Sequence, residues 1–247
     1  MDRLIYTAMT GALHTMTQQA TVSHNLANAS TTGFRAQTDT FRAVPVYGES
    51  LPTRAFVLDS TMGADFTPGT IQQTNRPLDV AIQGSGWITV QLENGEEAYT
   101  RHGNLKLDAN GILQTQQGFN IKGESGPITI PPDSRIAIGK DGSVSVLPSD
   151  SRMTAVSIVG RIKLVDPPAE QLVRGEDGLF RLKQGKQAPA SNKVALIDGA
   201  LESSNVNVIS EMVKMITLAR QFDMQMKMLE NAQQNAQQAG EIMTLRG

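Results

Sequence analysis

The stretch that decides the fold is the C-terminal one, residues 206–247: VNVISEMVKMITLARQFDMQMKMLENAQQNAQQAGEIMTLRG. It contains no proline. Positions spaced by alternating steps of four and three residues along it are mostly occupied by apolar residues. A period of 3.5 is typical of a coiled coil, in which two helices pack along one apolar seam. A helix over this stretch would be on the order of 50 Å long. The predicted seam consists of Val208, Met212, Met215, Ala219, Phe222, Met226, Leu229, Ala236 and Met243, interrupted by Gln233 and Gly240.

A second helix is predicted at the N-terminus, from about Asp2 to Ala29. It shows the same alternating steps, although Gln19 and Ser23 weaken the pattern. Gly33 is expected to end this region in the left-handed conformation that glycine adopts readily. The apolar positions of this helix are Ile5, Met9, Ala12, Met16 and Leu26.

Between the helices the apolar pattern changes to a period of two. Residues 37–75 are predicted to form an extended connector with one irregular hairpin, and residues 76–202 a β-rich domain. Asn94-Gly95, Asn110-Gly111 and Asp141-Gly142 are typical of type I′ hairpin turns, in which both central residues have positive φ. The terminal helical domain would comprise residues 1–36 and 203–247. The predicted fold is therefore mixed and multi-layered: long terminal helices paired as a coiled coil, with an inserted all-β domain.

The apolar faces of the two helices could be buried in two ways, against the core of the same chain or against other subunits. Both seams are rich in Met and Ala, and Gln residues crowd the outer side near the C-terminus. Such a helix depends on packing along its whole length. Two narrow helices would still leave apolar surface uncovered, which favours other subunits.

Composition and motifs exclude several classes of function. The net charge of -2 argues against nucleic acid as the main partner, and the absence of cysteine removes thiol chemistry. No cleaved signal peptide and no membrane-spanning segment are expected. His14, His24 and His102 lack metal-ligand spacing, and Asp and Glu form no acid/base pair. We therefore expect no enzymatic activity, no cofactor and no metal.

Residues 23–35, SHNLANASTTGFR, resemble the N-terminal motif of the bacterial flagellar axial proteins, the family of basal-body rod and hook subunits. Residues 78–87, 99–111 and 201–216 are similar to further family segments, in the family's order. His24 and the sequence of residues 220–222 are closer to the proximal-rod type than to the distal-rod type. The motif positions are Asn25, Leu26, Ala27, Asn28, Gly33 and Phe34.

The resemblance implies a structural role. The terminal helices would form the inner coiled-coil layer of a helical tube in the proximal rod, and the β-rich domain its outer layer. The chain would pass through the flagellar type III export apparatus, and it would assemble in the basal body, across the periplasm, with other proximal and distal rod proteins and with its own copies. There it would transmit torque from the motor to the hook. A distal-rod or hook-type protein, or a secreted surface-binding β-protein with coiled-coil arms, remain alternatives.

Overall fold

A computed structural model of the chain describes residues 2–45, 55–132, 134–148 and 156–244. These residues divide into two compact units. The helical unit comprises the described parts of Met1–Ala29, Gln37–Ala64 and Val206–Gly247. The β-rich unit comprises the described parts of Ser30–Ala36 and Asp65–Asn205.

The helical unit contains two helices and a pair of strands. Helix α1 spans Asp2–Ala27 and helix α2 spans Val208–Thr244. Strands β1 (Gln37–Pro45) and β2 (Ala55–Ala64) pair antiparallel, with an irregularity after Thr40. The first part of the predicted connector is therefore a β-strand pair within the helical unit.

A side chain caps the N-terminus of α2. The side-chain oxygen of Asn207 accepts a hydrogen bond from the backbone N–H of Ser210 at 3.1 Å. This bond satisfies one of the donors that a helix N-terminus leaves unpaired, which is what an N-cap residue does. The cap is therefore Asn207.

The β-rich unit is built from short antiparallel strands. The strands are β3 (Ile71–Gln73), β4 (Val80–Gln83), β5 (Trp87–Gln91), β6 (Glu97–Thr100), β7 (Leu105–Leu107), β8 (Leu113–Thr115), β9 (Asn120–Gly123), β10 (Gly126–Pro127), β11 (Ser134–Ile138), β12 (Ser143–Pro148), β13 (Ser157–Arg161), β14 (Leu164–Val165), β15 (Leu172–Arg174), β16 (Phe180–Leu182), β17 (Ala195–Asp198) and β18 (Ala200–Glu202). Two 3-10 turns, Ala169–Gln171 and Lys183–Gly185, lie among the later strands.

The strands form one large sheet and three smaller ones. The largest sheet has the order β15-β16-β6-β5-β9-β8-β7, with β10 paired to β9 and β14 paired to β5. The smaller sheets are β11-β12-β13, β17-β4 and β18-β3.

The hydrophobic core lies in the β-rich unit. Aliphatic side chains of β4, β5, β8, β9 and β12 are almost completely buried there. Along β8 and β9 every second side chain is buried, as a period of two predicts, whereas β4 and β5 bury consecutive side chains. Representative members are Ile82, Ile88, Val90, Leu113, Ile121 and Val144.

The predicted turns occur at the expected positions, but their predicted type is wrong. Gly95, Gly111 and Gly142 have φ values of 84°, 76° and 84°. A type I′ turn also needs positive φ at the residue before the glycine. Among the described residues, Asn75 is the one non-glycine residue with positive φ, so the Asn and Asp of these dipeptides do not meet that requirement.

The prediction that the terminal helices pair as a coiled coil is also wrong. The described residues contain two α-helices, one near each end, and a mostly β region between them, so the predicted β insertion fits in part. The predicted seams are only partly buried, because Met9, Met16, Met212 and Met226 are all exposed. Smaller side chains form the contact between α1 and α2. The distance between packed helices depends on the side chains at their contact.

Candidate assembly surfaces

The inner face of α1 carries small side chains. Ala8, Ala12 and Thr15 are buried, and the Thr15 hydroxyl donates a hydrogen bond to Oε1 of Gln225 on α2 at 3.2 Å. A methyl group at Gly11 would lie 2.8 Å from Nε2 of the same glutamine. The two helices therefore approach closely through small residues of α1.

The outer face of α1 carries large apolar side chains. Each of four exposed residues follows a buried or half-buried one, so it lies about 100° further around the helix. Tyr6 is 63% and Leu13 62% exposed, and the two methionines of the same face are more than half exposed. We call this set the α1 stripe; it consists of Tyr6, Met9, Leu13 and Met16.

Helix α2 has a comparable division. Glu211 and Leu218 are buried, and Met215 and Phe222 are half-buried. A different face near the N-terminus of α2 exposes large aliphatic and thioether side chains, of which Ile209 is 76% exposed. We call this set the α2 stripe; it consists of Ile209, Met212, Val213 and Ile216.

The predicted interface residues are distributed over both kinds of face. Exposed members are Met9, Met16, Val208, Met212, Ala219, Met226 and Ala236. Buried or half-buried members are Ile5, Ala12, Leu26, Met215, Phe222 and Leu229. Met243 lies in α2, but its side chain is outside the described part of the structure. Their role in assembly stays a prediction.

The predicted motif residue Asn25 fastens three elements of the helical unit. Its side chain is buried; Oδ1 accepts from the N–H of Gln37 at 2.8 Å, and Nδ2 donates to the carbonyl of Gln37 at 2.9 Å. Nδ2 also lies 3.5 Å from Oε2 of Glu211. The amide thus pairs with β1 as a neighbouring strand would, and it connects α1 to both β1 and α2.

We expect Asn25→Ala to lower the free energy of unfolding of the helical unit by about 2–3 kcal/mol, since it leaves a backbone donor and acceptor of Gln37 without their partner. Urea unfolding followed by circular dichroism at the helical band measures this. Asn28→Ala is the matched control, because Nδ2 of Asn28 donates locally to the carbonyl of His24, four residues earlier in the same helical region, at 2.9 Å. Equal effects of the two variants would contradict the fastening role.

Residues 30–35 of the motif lie in the β-rich unit, where Arg35 enters a buried ion cluster. Nη2 of Arg35 lies 2.8 Å from Oε1 of Glu202, and Nη1 of Arg101 lies 2.9 Å from Oε2 of the same carboxylate. The side chains of Arg35 and Glu202 are each 1% exposed. Burial lowers the pKa of Arg35, an effect that Glu202 opposes and Arg101 reinforces. One carboxylate therefore pairs with two guanidinium groups whose side chains are almost completely buried.

Gly33 and Phe34 complete this part of the motif. Gly33 has the predicted left-handed conformation, with φ of 67°, and its N–H donates to the Glu202 carbonyl at 2.7 Å. The buried ring of Phe34 packs 4.5 Å from the guanidinium carbon of Arg174. Nη1 of Arg174 also donates to the Arg35 carbonyl at 2.9 Å, and burial lowers the pKa of Arg174.

Among the other motif residues, Leu26 and Asn28 are half-buried and Ala27 is exposed.

Within the described ranges, no three His, Asp or Glu side chains come together in a way that could hold a metal ion. Neither α1 nor α2, as far as they are described, is apolar enough over a sufficient length to cross a bilayer.

Comparisons with known proteins identify the family of the chain. Three family descriptions match in chain order: "Flagella basal body rod protein" over residues 5–35, "Flagellar hook protein FlgE/F/G D1 domain" over 81–146, and "Flagellar basal body rod FlgEFG protein C-terminal" over 197–242. The flagellar basal-body rod protein FlgF of Escherichia coli (strain K12) is 47% identical over 251 residues, covering 99% of this chain and 100% of the relative. The chain belongs to the FlgF family.

Other relatives agree with this assignment. FlgF of Salmonella typhimurium (strain LT2) is 46% identical, covering 99% of this chain and 100% of the relative. FlgG of Buchnera aphidicola subsp. Schizaphis graminum is 30% identical, covering 90% of this chain and 92% of the relative. As a FlgF-family member, the chain is a structural subunit of the flagellar basal-body rod. The family is one of structural proteins, and its members assemble with other flagellar rod or hook proteins.

Sequence reasoning missed several residues that FlgF-family membership makes relevant. Tyr6, Leu13, Ile209 and Val213 were outside the predicted seams because they lie on a neighbouring face of each helix, where apolar residues recur with the same steps of three and four. A count of large apolar residues around each helix would have found them, since they form a second apolar face. Arg101 and Glu202 carried no signal of their pairing, because 101 residues separate them in the chain.

Proposed function

We propose that this chain occupies the proximal rod, where it assembles helically with other proximal and distal rod proteins and with copies of itself. In this position it transmits torque from the motor to the hook. The identities of 47% and 46% to two FlgF relatives, each over 99% of this chain, support the proximal assignment. His24 and the Arg220–Phe222 run favour the same type.

The observation that carries the proposal is the reversed distribution of side-chain size on α1. Small residues such as Ala8 and Ala12 face α2, while the large side chains of the α1 stripe are exposed. From Leu4 to Phe34 the chain has no Asp, Glu, Lys or Arg. Burying one large apolar side chain is worth about 1.5–3 kcal/mol, so covering the stripe with a neighbour is strongly favourable.

The parts of the chain are assigned different places in the rod. Residues 1–36 and 203–247 line its inner layer, and the β-rich residues 76–202 form the outer layer, with residues 37–75 connecting them. The interface residues are the predicted ones together with the α1 and α2 stripes. No cofactor or catalytic group takes part in this role.

The route to the rod is export through the flagellar type III apparatus, without cleavage of a signal peptide. The rod crosses the periplasm, and the chain joins it there.

We expect Leu13→Asp to abolish motility when it replaces the normal chain, because the neighbour that covers the α1 stripe would have to bury a carboxylate at a cost of several kcal/mol. The measurement is swarming in soft agar, combined with detection of the variant in purified basal bodies. Circular dichroism of the isolated variant checks that it stays helical, since Leu13 is exposed in the single chain.

Thr7→Asp is the control on the same helix, because Thr7 is exposed but lies outside the α1 stripe. Leu13→Met, which keeps the apolar surface, is expected to retain motility. A motile Leu13→Asp strain with the variant in its basal bodies would rule out the stripe as an interface. A motile strain that lacks the chain altogether would rule out the proposed function.

A further inference from the structure

Four hairpin turns in the described part of the β-rich unit share one main-chain pattern and carry Asn or Asp before a glycine. In each turn the glycine has positive φ, and its N–H donates to the carbonyl three residues earlier. Asn-Gly is a dipeptide in which a backbone nitrogen readily reaches the side-chain amide, because glycine has no side chain beside that nitrogen. The four dipeptides are Asn94-Gly95, Asn110-Gly111, Asp141-Gly142 and Asp177-Gly178.

The Asn94-Gly95 turn, between β5 and β6, holds its side-chain amide in a reactive arrangement. Oδ1 of Asn94 accepts a hydrogen bond from the backbone N–H of Glu96 at 3.0 Å. A donor at this oxygen stabilises the negative charge that forms when a nucleophile attacks the amide carbon. Nδ2 of Asn94 donates to Oε2 of Glu96 at 2.9 Å, so a carboxylate lies within hydrogen-bond reach of the group that must leave.

The surroundings of Gly95 leave its main chain free to move. No described atom lies within 4 Å of a methyl group added at Gly95, and both Asn94 and Gly95 are exposed. A change of conformation breaks one turn hydrogen bond, from the Gly95 N–H to the Leu92 carbonyl at 2.9 Å. The Gly95 nitrogen can therefore reach Cγ of Asn94 without disturbing the core.

The Asn110-Gly111 turn, between β7 and β8, is held by a neighbouring segment. The Gly111 carbonyl accepts from the N–H of Ile130 at 2.8 Å, and a methyl group added at Gly111 would collide with the Ile130 carbonyl oxygen. Ile130 is buried in the core. The Asn110 side chain donates from Nδ2 to Oδ2 of Asp108 at 3.3 Å, and no described donor reaches its Oδ1. This turn is therefore fixed, and its amide lacks the donor that Asn94 has.

The two aspartate turns contain a poorer electrophile. Hydrogen bonds from Ser143 lower the pKa of Asp141, and a hydrogen bond from Arg181 lowers the pKa of Asp177. Both side chains are carboxylate ions at neutral pH, and their charge opposes attack by a nucleophile. The neutral amide of Asn94 has no such protection.

We propose that Asn94 is a site of spontaneous modification in the folded chain and that the fold protects Asn110 from the same reaction. The Gly95 nitrogen forms a bond to Cγ of Asn94, and Nδ2 leaves as ammonia with the proton that the backbone nitrogen gives up. The product is a cyclic succinimide. Water then opens the ring: attack at Cγ gives aspartate, and attack at the main-chain carbonyl carbon gives isoaspartate.

The modification changes the surface of the β-rich unit and leaves its fold intact. Either product adds a negative charge between Glu93 and Glu96, in a chain whose formal net charge is -2. Isoaspartate also lengthens the main chain by one carbon atom, which the open space around Gly95 accommodates. Because the released ammonia is not restored, the products accumulate, and their fraction records the age of the folded chain.

Peptide mapping by mass spectrometry tests the proposal, with Asn110 as an internal control in the same molecule. The purified full chain is incubated at neutral pH, sampled over time and digested in mild acid. Exchange of the amide NH2 for OH gives a fixed mass increase, which fragment spectra locate. In the folded chain we expect Asn94 to convert at least about tenfold faster than Asn110, a ratio that corresponds to about 1.4 kcal/mol in activation free energy.

Incubation in urea is the second arm, because unfolding removes the structural difference between the two Asn-Gly dipeptides. Asn94 and Asn110 are then expected to convert at similar rates, and the fluorescence of Trp87 shows which samples are folded. Equal conversion of the two residues in the folded chain would overturn the proposal. So would an intact Asn94 in the folded chain, or a preference for Asn94 that persists in urea.

Two variants complete the design. Asn94→Gln has a longer side chain that cannot close the same ring, so no mass increase is expected at position 94 and Asn110 should behave as in the parent. Asn94→Asp provides the chromatographic reference for one product. It is expected to unfold at the same urea concentration as the parent; a clear loss of stability would contradict the tolerance of the turn for the added charge.

Discussion

Glu202→Gln is expected to lower the free energy of unfolding of the β-rich unit by about 3–5 kcal/mol, since removing one partner of a buried ion cluster leaves the others uncompensated. Here the uncompensated groups are two guanidinium ions, those of Arg35 and Arg101, which face each other across the lost charge. The backbone N–H of Gly69 also loses part of a charge-assisted bond, because it donates to Oε1 of Glu202 at 2.9 Å.

Urea unfolding monitored by the fluorescence of Trp87 measures this effect. Trp87 is the single tryptophan of the chain, it is buried in the same unit, and its ring lies 5.6 Å from the guanidinium carbon of Arg101. Glu124→Gln is the matched control, because Glu124 meets Arg161 at 3.6 Å with a 44% exposed side chain. An exposed pair of this kind contributes less than about 1 kcal/mol. If Glu202→Gln were as mild as Glu124→Gln, the buried cluster would not be a main source of stability.

The β-rich region was the part of the fold that the sequence predicted well. Its signals are local: an alternating run such as Trp87–Leu92 becomes a strand, and Asn-Gly or Asp-Gly marks the turn that follows. The turn type was beyond the pattern, because the same dipeptides occur in turns where only the glycine has positive φ. In the turns at Gly95 and Gly111, only the glycine has positive φ.

For the helices, the elements themselves were predictable from the sequence, but their packing was not. Their existence and approximate bounds were predictable from an unbroken apolar period without proline. The buried face was not, because Met9 and Ala8 are adjacent and either can fit a period near 3.5. Large residues dominate a pattern analysis, but close packing inside the chain uses the small ones, Ala8 and Ala12. The large residues were left exposed, and the sequence does not state which neighbour covers them.

The buried cluster around Glu202 was not predictable from one sequence. Arg35 and Glu202 both lie in segments that resemble the axial-protein family, but they are far apart in the chain. Neither segment contains a pattern that predicts an ion pair between them. Asn25 is a similar case, because its hydrogen bonds are with the backbone of Gln37. Contacts with backbone leave no trace in the identity of the partner residue.

Gly33→Ala is the second change with a large expected effect, a loss of at least about 4 kcal/mol, which is exceptional for a single substitution. Two costs combine. An alanine at φ of 67° pays roughly 1–2 kcal/mol for the left-handed conformation. Its Cβ would also lie 2.4 Å from the carbonyl carbon and oxygen of Arg101. Because that neighbour is backbone, it cannot be relieved by a side-chain rotation.

Gly185→Ala separates the two costs, since Gly185 has φ of 64° and no described atom lies within 4 Å of the added methyl group. We expect this control to lose about 1–2 kcal/mol, the conformational part alone. The same urea titration with Trp87 fluorescence compares the two variants. Similar losses would show that the backbone at Arg101 moves aside easily and that the close approach at Gly33 is not a constraint.

The two large effects should also be coupled. Relief of the clash at Gly33 requires the Arg101 backbone to move, and that movement would pull Nη1 of Arg101 away from Glu202. Gly33→Ala therefore removes part of what Glu202→Gln removes. Residues that share a partner deviate from additivity by about 0.5–3 kcal/mol, so the double variant should lose less than the sum of the single losses. Full additivity would mean that Gly33 and the ion cluster stabilise the unit independently.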